Sequence, residues 1–88
     1  MRYNFVVIEA EIIVTLKKLV ADPQGLTIKH AIESLGSKDL AAVRAGKFFR
    51  IALKTDDKEQ ANKEIKDMCE KLLVNPVIEE YSYTLKNI

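Results

Sequence analysis

Residues 67–81 read DMCEKLLVNPVIEEY and join the best-patterned helix of the chain to its last strand. Pro76 lacks a backbone N–H group and disfavours helical geometry at the residue before it. The helix is therefore predicted to end at Asn75, a residue type that tolerates a left-handed helix cap, and the chain is predicted to continue extended. The rest of the chain must supply surfaces that match this helix and this strand.

The helix before Asn75 has a clear start and a clear apolar face. Asp56 and Asp57 are followed three residues later by Glu59 and Gln60, which gives two overlapping capping boxes. Beyond the helix, residues 77–86 alternate as a strand does. The apolar stripe of the helix, at helical spacing, consists of Ala61, Ile65, Met68, Cys69, Leu72 and Leu73.

The first predicted strand covers residues 8–16, where apolar and polar side chains alternate. This pattern indicates a strand with one face on a core, and Ile13 is the exception on the outer face. Tyr3, Phe5 and Val7 extend the apolar character of that outer face. The first residues therefore either cover a neighbouring surface or form a frayed tail.

A further helix is predicted after Asp22, which suits the N-cap, and Pro23, which suits the first helical position. Gly36 suits the left-handed residue that ends a helix. Gly25 is unfavourable inside a helix by about 1 kcal/mol relative to alanine, so either the helix begins after it or a close backbone approach offsets the loss. The apolar stripe of this helix is Ile28, Ala31, Ile32 and Leu35.

Residues 40–55 allow two interpretations. As one long strand, the segment would place Phe49 and Leu53 on one face. As two strands that turn at Ala45-Gly46, it would form a hairpin. We favour the hairpin, because a single strand between two helices would push the sheet toward parallel crossovers, which need helices on both faces.

The predicted order is β-α-β-β-α-β, which is the ferredoxin-like arrangement of the α+β class. Its antiparallel sheet carries two helices on one face. The chain has 88 residues, and we expect residues 1–88 to form a single domain. A domain of this size buries only about two thirds of the surface of its unfolded chain, which argues against a deep, water-free active site.

The composition excludes several classes of function. The 14 basic and 13 acidic residues leave a formal charge of +1, so we expect neither a nucleic-acid nor a membrane partner. The apolar run at residues 5–14 is interrupted by Glu9 and Glu11 and is too short to span a bilayer. A single cysteine excludes an intramolecular disulfide, so we expect a reducing, cytoplasmic location.

Residues with catalytic chemistry are few. His30, the only histidine, falls on the polar face of its helix, and Cys69 lies within an apolar stripe, so neither is expected to be catalytic. Glu79 and Glu80 are adjacent on a strand and therefore point to opposite faces. The chain has no glycine-rich phosphate loop and no metal-ligand spacing. We expect no catalytic residue, no metal and no cofactor bound by this chain.

Three stretches resemble the PurS family, the small subunit of phosphoribosylformylglycinamidine synthase, in order and approximate spacing. They are residues 16–25, 43–47 and 68–81. The third is the most specific, because the family reads approximately MCEKLLANPVIEDY where this chain reads MCEKLLVNPVIEEY. The differences there are Val74 and Glu80, and the amino terminus is several residues longer than is typical.

The resemblance implies a subunit without catalysis of its own in de novo purine biosynthesis. It would bridge the large ATP-dependent synthetase subunit and the glutaminase subunit, and assist the passage of ammonia between them. ATP, Mg²⁺ and glutamine would be used by those partner subunits. The family also self-associates, so a homodimer or homotetramer is expected for the chain alone, and a small sheet with exposed edges suits this.

Within this interpretation, three turns are hypothesised to contact the larger subunits. They are residues 22–25, residues 44–47 and the junction at residues 75–76. Arg44 and Lys47 place two cations near a turn, where they serve either solubility or contact. Glu79 lies on the apolar side of its strand, so it is either at the sheet margin or paired across an interface. The candidate partner-contact residues are Asp22, Gln24, Arg44, Lys47, Asn75 and Glu79.

The alternative is a stand-alone ferredoxin-like module. A small-ligand regulatory domain would show a melting temperature that rises with its ligand. An acylphosphatase-like enzyme would need an anion-cradling loop with an arginine after the first strand. Residues 17–20 supply two lysines there but no arginine and no glycine.

Overall fold

The computed structural model describes residues 3–88, which form three strands and two helices. Neither of these helices is long and apolar enough to cross a membrane. One π-helical turn, Cys69–Leu73, directly follows the second helix. The elements are β1 (Ile8–Leu16), α1 (Pro23–Ser34), β2 (Gly46–Leu53), α2 (Lys58–Met68) and β3 (Glu79–Asn87).

The sheet has its first strand at the centre. The order is β2-β1-β3, and both neighbours run antiparallel to β1. In this register, Ile12 lies between Phe49 of β2 and Tyr83 of β3. The α+β class and the antiparallel sheet predicted from the sequence are confirmed, and the observed order of elements is β-α-β-α-β.

The segment between α1 and β2, residues 37–45, forms no strand, so the predicted hairpin is wrong. We call it the return segment, because it leads the chain from the end of α1 back to the end of the sheet where β1 ends. The N–H of Ala45 donates to the Asp22 carboxylate, and pairing with β1 starts at Gly46, opposite Thr15. Gly46 has no positive φ, so there is no turn of the predicted kind at this position.

The core lies between α2 and the inner face of the sheet. Ala10, Ile12 and Val14 are buried together with Ile65 and Cys69. The alternation predicted for β1 is therefore confirmed, since every second side chain is removed from water. The half-buried residues around this cluster include Phe49, Ile51, Leu53, Tyr81, Tyr83 and Leu85.

The outer face of the sheet carries a network of ion pairs. The Arg50 guanidinium lies 3.1 Å from the Glu11 carboxylate and 3.5 Å from that of Glu9. Lys86 lies 3.9 Å from Glu9 and 3.8 Å from Glu11. Both carboxylates of the central strand therefore have cations from the two neighbouring strands, and this face can contact water without a further layer.

The first described residues pack on the sheet and do not fray. Val7 is fully buried, and its carbonyl accepts the N–H of Ile88 at 3.1 Å. The Phe5 ring lies 4.7 Å from the Lys54 ammonium and packs on the Tyr3 ring. Of the two alternatives for this segment, the covering role is the one observed.

α1 makes little contact with the sheet. Gly25 is its only buried residue, whereas Leu26 is 52% exposed and Leu35, which caps the helix, is 88% exposed. The radius of gyration is 16.9 Å, and a compact chain of this length would have about 12 Å. α1 and the return segment thus form an arm that projects from the sheet, and the apolar stripe of α1 stays largely uncovered in a single copy.

The helix before Pro76 ends earlier than predicted. The N–H of Val74 donates to the carbonyl of Cys69 at 3.0 Å, which closes the π turn. Val74 is already extended, with φ −125° and ψ 134°. No non-glycine residue between 3 and 88 has a positive φ, so Asn75 is not the left-handed cap that was predicted.

Candidate partner-contact site

The predicted contact residues gather at one end of the sheet, where the β1–α1 loop, the start of β2 and the start of β3 meet. Four of the six candidates, Asp22, Gln24, Lys47 and Glu79, line a shallow cavity of about 180 Å³ there. The other two lie beside it. Asn75 is bonded directly to Glu79, and Arg44 immediately precedes Ala45, which is bonded to Asp22.

Asp22 joins two separate parts of the chain. Its Oδ1 accepts the N–H of Gly25 at 2.9 Å, which caps α1 as predicted. Its Oδ2 accepts the N–H of Ala45 at 2.8 Å. The hydrogen bonds from Gly25 and Ala45 hold the pKa of the Asp22 carboxyl below its usual value, and the charge of Arg44 acts in the same direction.

Gly25 allows α1 to approach the return segment closely. A Cβ at this position would overlap with the carbonyl oxygen of Val43 and would crowd the Asp22 carboxylate. α1 includes Gly25, so of the two sequence-based alternatives the close backbone approach is correct. The absence of a side chain at Gly25 therefore lets α1 and the return segment pack against each other at the base of the arm.

Arg44 is used within the fold. Its Nη2 donates to the carbonyl oxygens of Lys17 at 3.1 Å and of Val20 at 2.9 Å. The guanidinium therefore links the return segment to the β1–α1 loop. This structural role was not predicted from the sequence, because the two accepting carbonyls are defined only by the conformation of a distant loop.

Lys47, Glu79 and Asn75 form a connected group. The Lys47 ammonium lies 3.5 Å from Glu79 Oε2, and Glu79 Oε1 accepts the N–H of Asn75 at 2.7 Å. Asn75 Oδ1 accepts the N–H of Val77 at 3.1 Å, so Asn75 shapes the turn that leads into β3. Glu79 thus lies at the sheet margin with a partner in its own chain, and Gln24 is exposed at the rim of the cavity.

A pair of tyrosines on β3, which was not predicted as part of the site, extends it toward α2 and the π turn. Tyr81 donates to Glu70 Oε2 at 3.3 Å, and Tyr83 donates to Asn62 Oδ1. Burial raises the pKa of Tyr81, and the charge of Glu70 adds to the rise. The spacing of two tyrosines two residues apart on one face of a strand was the available signal, because such side chains stack.

The remaining candidates for chemistry are separated from this end. His30 is exposed on α1. Cys69 is fully buried, and this burial, followed by the charge of Glu70, raises the pKa of its thiol. No group of three metal-ligating side chains occurs among residues 3–88. The chemistry that the arrangement offers is a set of fixed polar and apolar contacts.

Comparison with known proteins identifies the family. Residues 9–87 match the family model described as PurS, phosphoribosylformylglycinamidine (FGAM) synthase. The chain belongs to the PurS family. The PurS subunit of Archaeoglobus fulgidus is 45% identical over 73 residues, which is 83% of this chain and 91% of that protein. The Bacillus subtilis subunit is 36% identical over 80 residues, which is 91% of this chain and 94% of that protein.

Solved PurS structures share the fold. PurS of Methanocaldococcus jannaschii, one of the subunits of formylglycinamide ribonucleotide amidotransferase in the purine biosynthetic pathway, superposes with a TM-score of 0.82 at 36% identity, covering 92% of this chain and 98% of that chain. A chain of the PurLQS structure from Thermotoga maritima gives a TM-score of 0.83 at 32% identity, covering 91% and 98%. PurS is a subunit of FGAM synthase in purine biosynthesis. Residues 3–8 precede the region that the family model matches.

Proposed function

We propose that this chain is the non-catalytic small subunit of FGAM synthase and that it bridges the ATP-dependent synthetase subunit and the glutaminase subunit in the cytoplasm. The match to PurS over residues 9–87 carries this proposal. The similarity to a chain of PurLQS supports assembly with larger subunits. ATP, Mg²⁺ and glutamine would be held by those subunits, and this chain would assist the passage of ammonia between them.

The contact residues of this bridge are proposed to be the six candidates at the end of the sheet. Gln24 and Lys47 have the most freedom to contact a partner, because Gln24 is exposed and the Lys47 side chain remains 59% exposed in its ion pair. Asp22, Arg44, Asn75 and Glu79 would act by holding the turns in place. Preorganised turns lower the entropy lost on binding.

The test is amidine synthesis by the synthetase and glutaminase subunits of the same organism, with and without this chain. We expect glutamine-driven synthesis to require the chain and ammonium-driven synthesis by the synthetase to depend on it much less. Size-exclusion chromatography of the mixture should show co-elution. Glutamine-driven activity and elution that are both indifferent to the chain would refute the proposal.

We also propose that the chain self-associates through α1. Ile28 and Leu35 are 38% and 88% exposed in one copy, and Phe49, Ile51 and Leu53 on the inner face of β2 are only half-buried. An uncovered apolar helix and a partly covered sheet face are complementary surfaces, and two copies can exchange them about a two-fold axis. The expected states are a dimer or a tetramer.

Sedimentation of paired variants tests this self-association. Ile28→Glu with Leu35→Glu should reduce the assembly to single copies, because the charges would be buried without partners. Thr27→Glu with Ser34→Glu adds the same charge one residue earlier in each case, and should leave the assembly intact. A wild-type chain that sediments as a single copy, or a double variant Ile28→Glu with Leu35→Glu that sediments as the wild type does, would contradict the proposal.

A further inference from the structure

Two loops at the end of the sheet are tied to each other. They are the β1–α1 loop, residues 17–22, and the loop before β3, residues 74–78. The N–H of Lys17 donates to the carbonyl of Ile78 at 2.8 Å, and Lys17 Nζ donates to the carbonyl of Pro76 at 2.8 Å. Lys17 therefore joins the loops through both its backbone and its side chain.

Each loop is also fixed from within its surroundings. In the first loop, the N–H of Val20 donates to the carbonyl of Lys17 at 2.9 Å, and Arg44 donates to the carbonyls of both residues. In the second loop, the carbonyl of Asn75 accepts the N–H groups of Ile78 and Glu79 at 3.2 and 2.7 Å. These hydrogen bonds give the loop backbones a defined conformation.

These fixed loops present apolar side chains to water. Leu19 is fully exposed, at 101%, and Val77 is 77% exposed. We call these two side chains the apolar tips. Neither contributes to the core, so the order of the loops does not serve to bury them. Exposed apolar side chains on an ordered backbone are suited to anchor a protein interface, because little backbone entropy is lost when they bind.

The charge beside the apolar tips indicates what they contact. Lys18, next to Leu19, is exposed and forms no ion pair with any residue in the range 3–88. The nearest acidic residue along this loop, Asp22, is bonded to the backbone of Gly25 and Ala45. A second copy related by a two-fold axis would bring these lysines toward each other, which is unfavourable.

We propose that the apolar tips insert into an apolar pocket rimmed by carboxylates on one of the larger synthase subunits, with Lys17 and Lys18 facing the rim. This inference rests on the proposed function and adds the surface that docks. The proposed self-association uses α1, and the apolar tips lie outside that helix.

The experiment measures binding of the isolated synthetase subunit and the isolated glutaminase subunit, each in turn, in the presence of ATP, Mg²⁺ and glutamine. The variant is Leu19→Ser with Val77→Ser. Its control is Val6→Ser with Ile88→Ser, which removes similar side chains, 57% and 53% exposed, from the opposite end of the sheet. Both variants should melt within about 4 °C of the wild type, because exposed substitutions have small effects.

We expect the tip variant to bind one larger subunit at least about tenfold more weakly while the control binds normally and both keep the wild-type assembly size. Unchanged affinity for both subunits would overturn the docking inference and leave the proposed function standing. A smaller assembly would mean that the tips contact a second copy, which also overturns it. Wild-type chain that binds neither subunit would refute the proposed function and this docking together.

Discussion

The N–H of Ala45 donates to Oδ2 of Asp22 across the base of the arm, at 2.8 Å, while Oδ1 of the same carboxylate caps α1. One side chain thus sets both the start of the helix and the end of the return segment. Both parts of the chain that form the arm are held at their junction with the sheet. Gly25 is the only buried residue of α1, so these hydrogen bonds hold the base of the arm where apolar burial is small.

Asp22→Ala is expected to lower the melting temperature, because it removes the N-cap and leaves the N–H of Ala45 without its acceptor. Asp22→Asn should lower the melting temperature less than Asp22→Ala does, because the side-chain carbonyl of asparagine can still accept one of the two hydrogen bonds. Asp56→Ala is the control, because Asp56 is an exposed aspartate that makes no side-chain hydrogen bond among the described residues, whereas Asp22 is half-buried and makes two. Equal melting temperatures for Asp22→Ala and Asp56→Ala would contradict the role of Asp22.

The same carboxylate predicts a dependence of stability on pH. Its pKa in the folded chain lies below the usual value, mainly because of the hydrogen bond from Gly25 and then that from Ala45. The unfolded state therefore binds the proton more tightly, and the stabilising contribution is complete above about pH 3.9 and is lost as the pH falls through the lower native pKa. Urea titrations at decreasing pH should show the wild type converging on Asp22→Asn. A difference that stays constant into strong acid would argue against this assignment.

Gly25→Ala should destabilise the chain by about 1–3 kcal/mol, although alanine favours helices, because the new methyl group would meet the carbonyl of Val43. Gln24→Ala, one residue earlier and exposed, serves as the control and should change stability by less than about 0.5 kcal/mol. Chemical denaturation measures both. A stabilised Gly25→Ala variant would mean that α1 can move away from the return segment without loss.

Arg44 and Lys47 should differ when each is replaced by alanine. Loss of the two hydrogen bonds of Arg44 is expected to reduce stability by about 1 kcal/mol. Loss of the exposed Lys47–Glu79 pair should matter by only a few tenths of a kcal/mol. Thermal unfolding and binding to the larger subunits are measured for each variant, to separate a structural role from a partner contact. If Lys47→Ala binds the larger subunits more weakly at unchanged stability, Lys47 contacts a partner. Arg44→Ala with wild-type stability would show that the loop holds its shape unaided.

Features set by neighbouring residues were predictable from the sequence. Asp22 caps α1 with Pro23 at its first turn, and Asp57 accepts the N–H groups of Glu59 and Gln60 at the start of α2. Gly36 has the predicted positive φ, at 108°. In each case the preference acts over three or four residues, so the local sequence contains all the information that is needed.

Features set by distant residues were not predictable. Ala45-Gly46 has the composition of a turn, but the N–H of Ala45 is bound by a side chain from before α1. The π turn after α2 begins at Cys69, which is buried in the core, and the helical spacing of the sequence did not predict it. The six candidate contact residues lie near one another because all of them stand at turns or strand starts at the same end of the sheet. The sequence did not single out Leu19 and Val77 as contact residues.

The central position of β1 has a consequence for the kinetics of folding. The nearest paired residues, Thr15 and Gly46, already enclose the whole arm, and the pairing of Leu16 with Glu79 encloses most of the chain. Every strand pairing in the described chain must therefore close a long loop first, which slows folding. The free-energy cost of closing a loop rises only logarithmically with its length, by about 0.6 kcal/mol for each doubling. A change in the length of the arm therefore alters the free energy of forming the sheet only slightly.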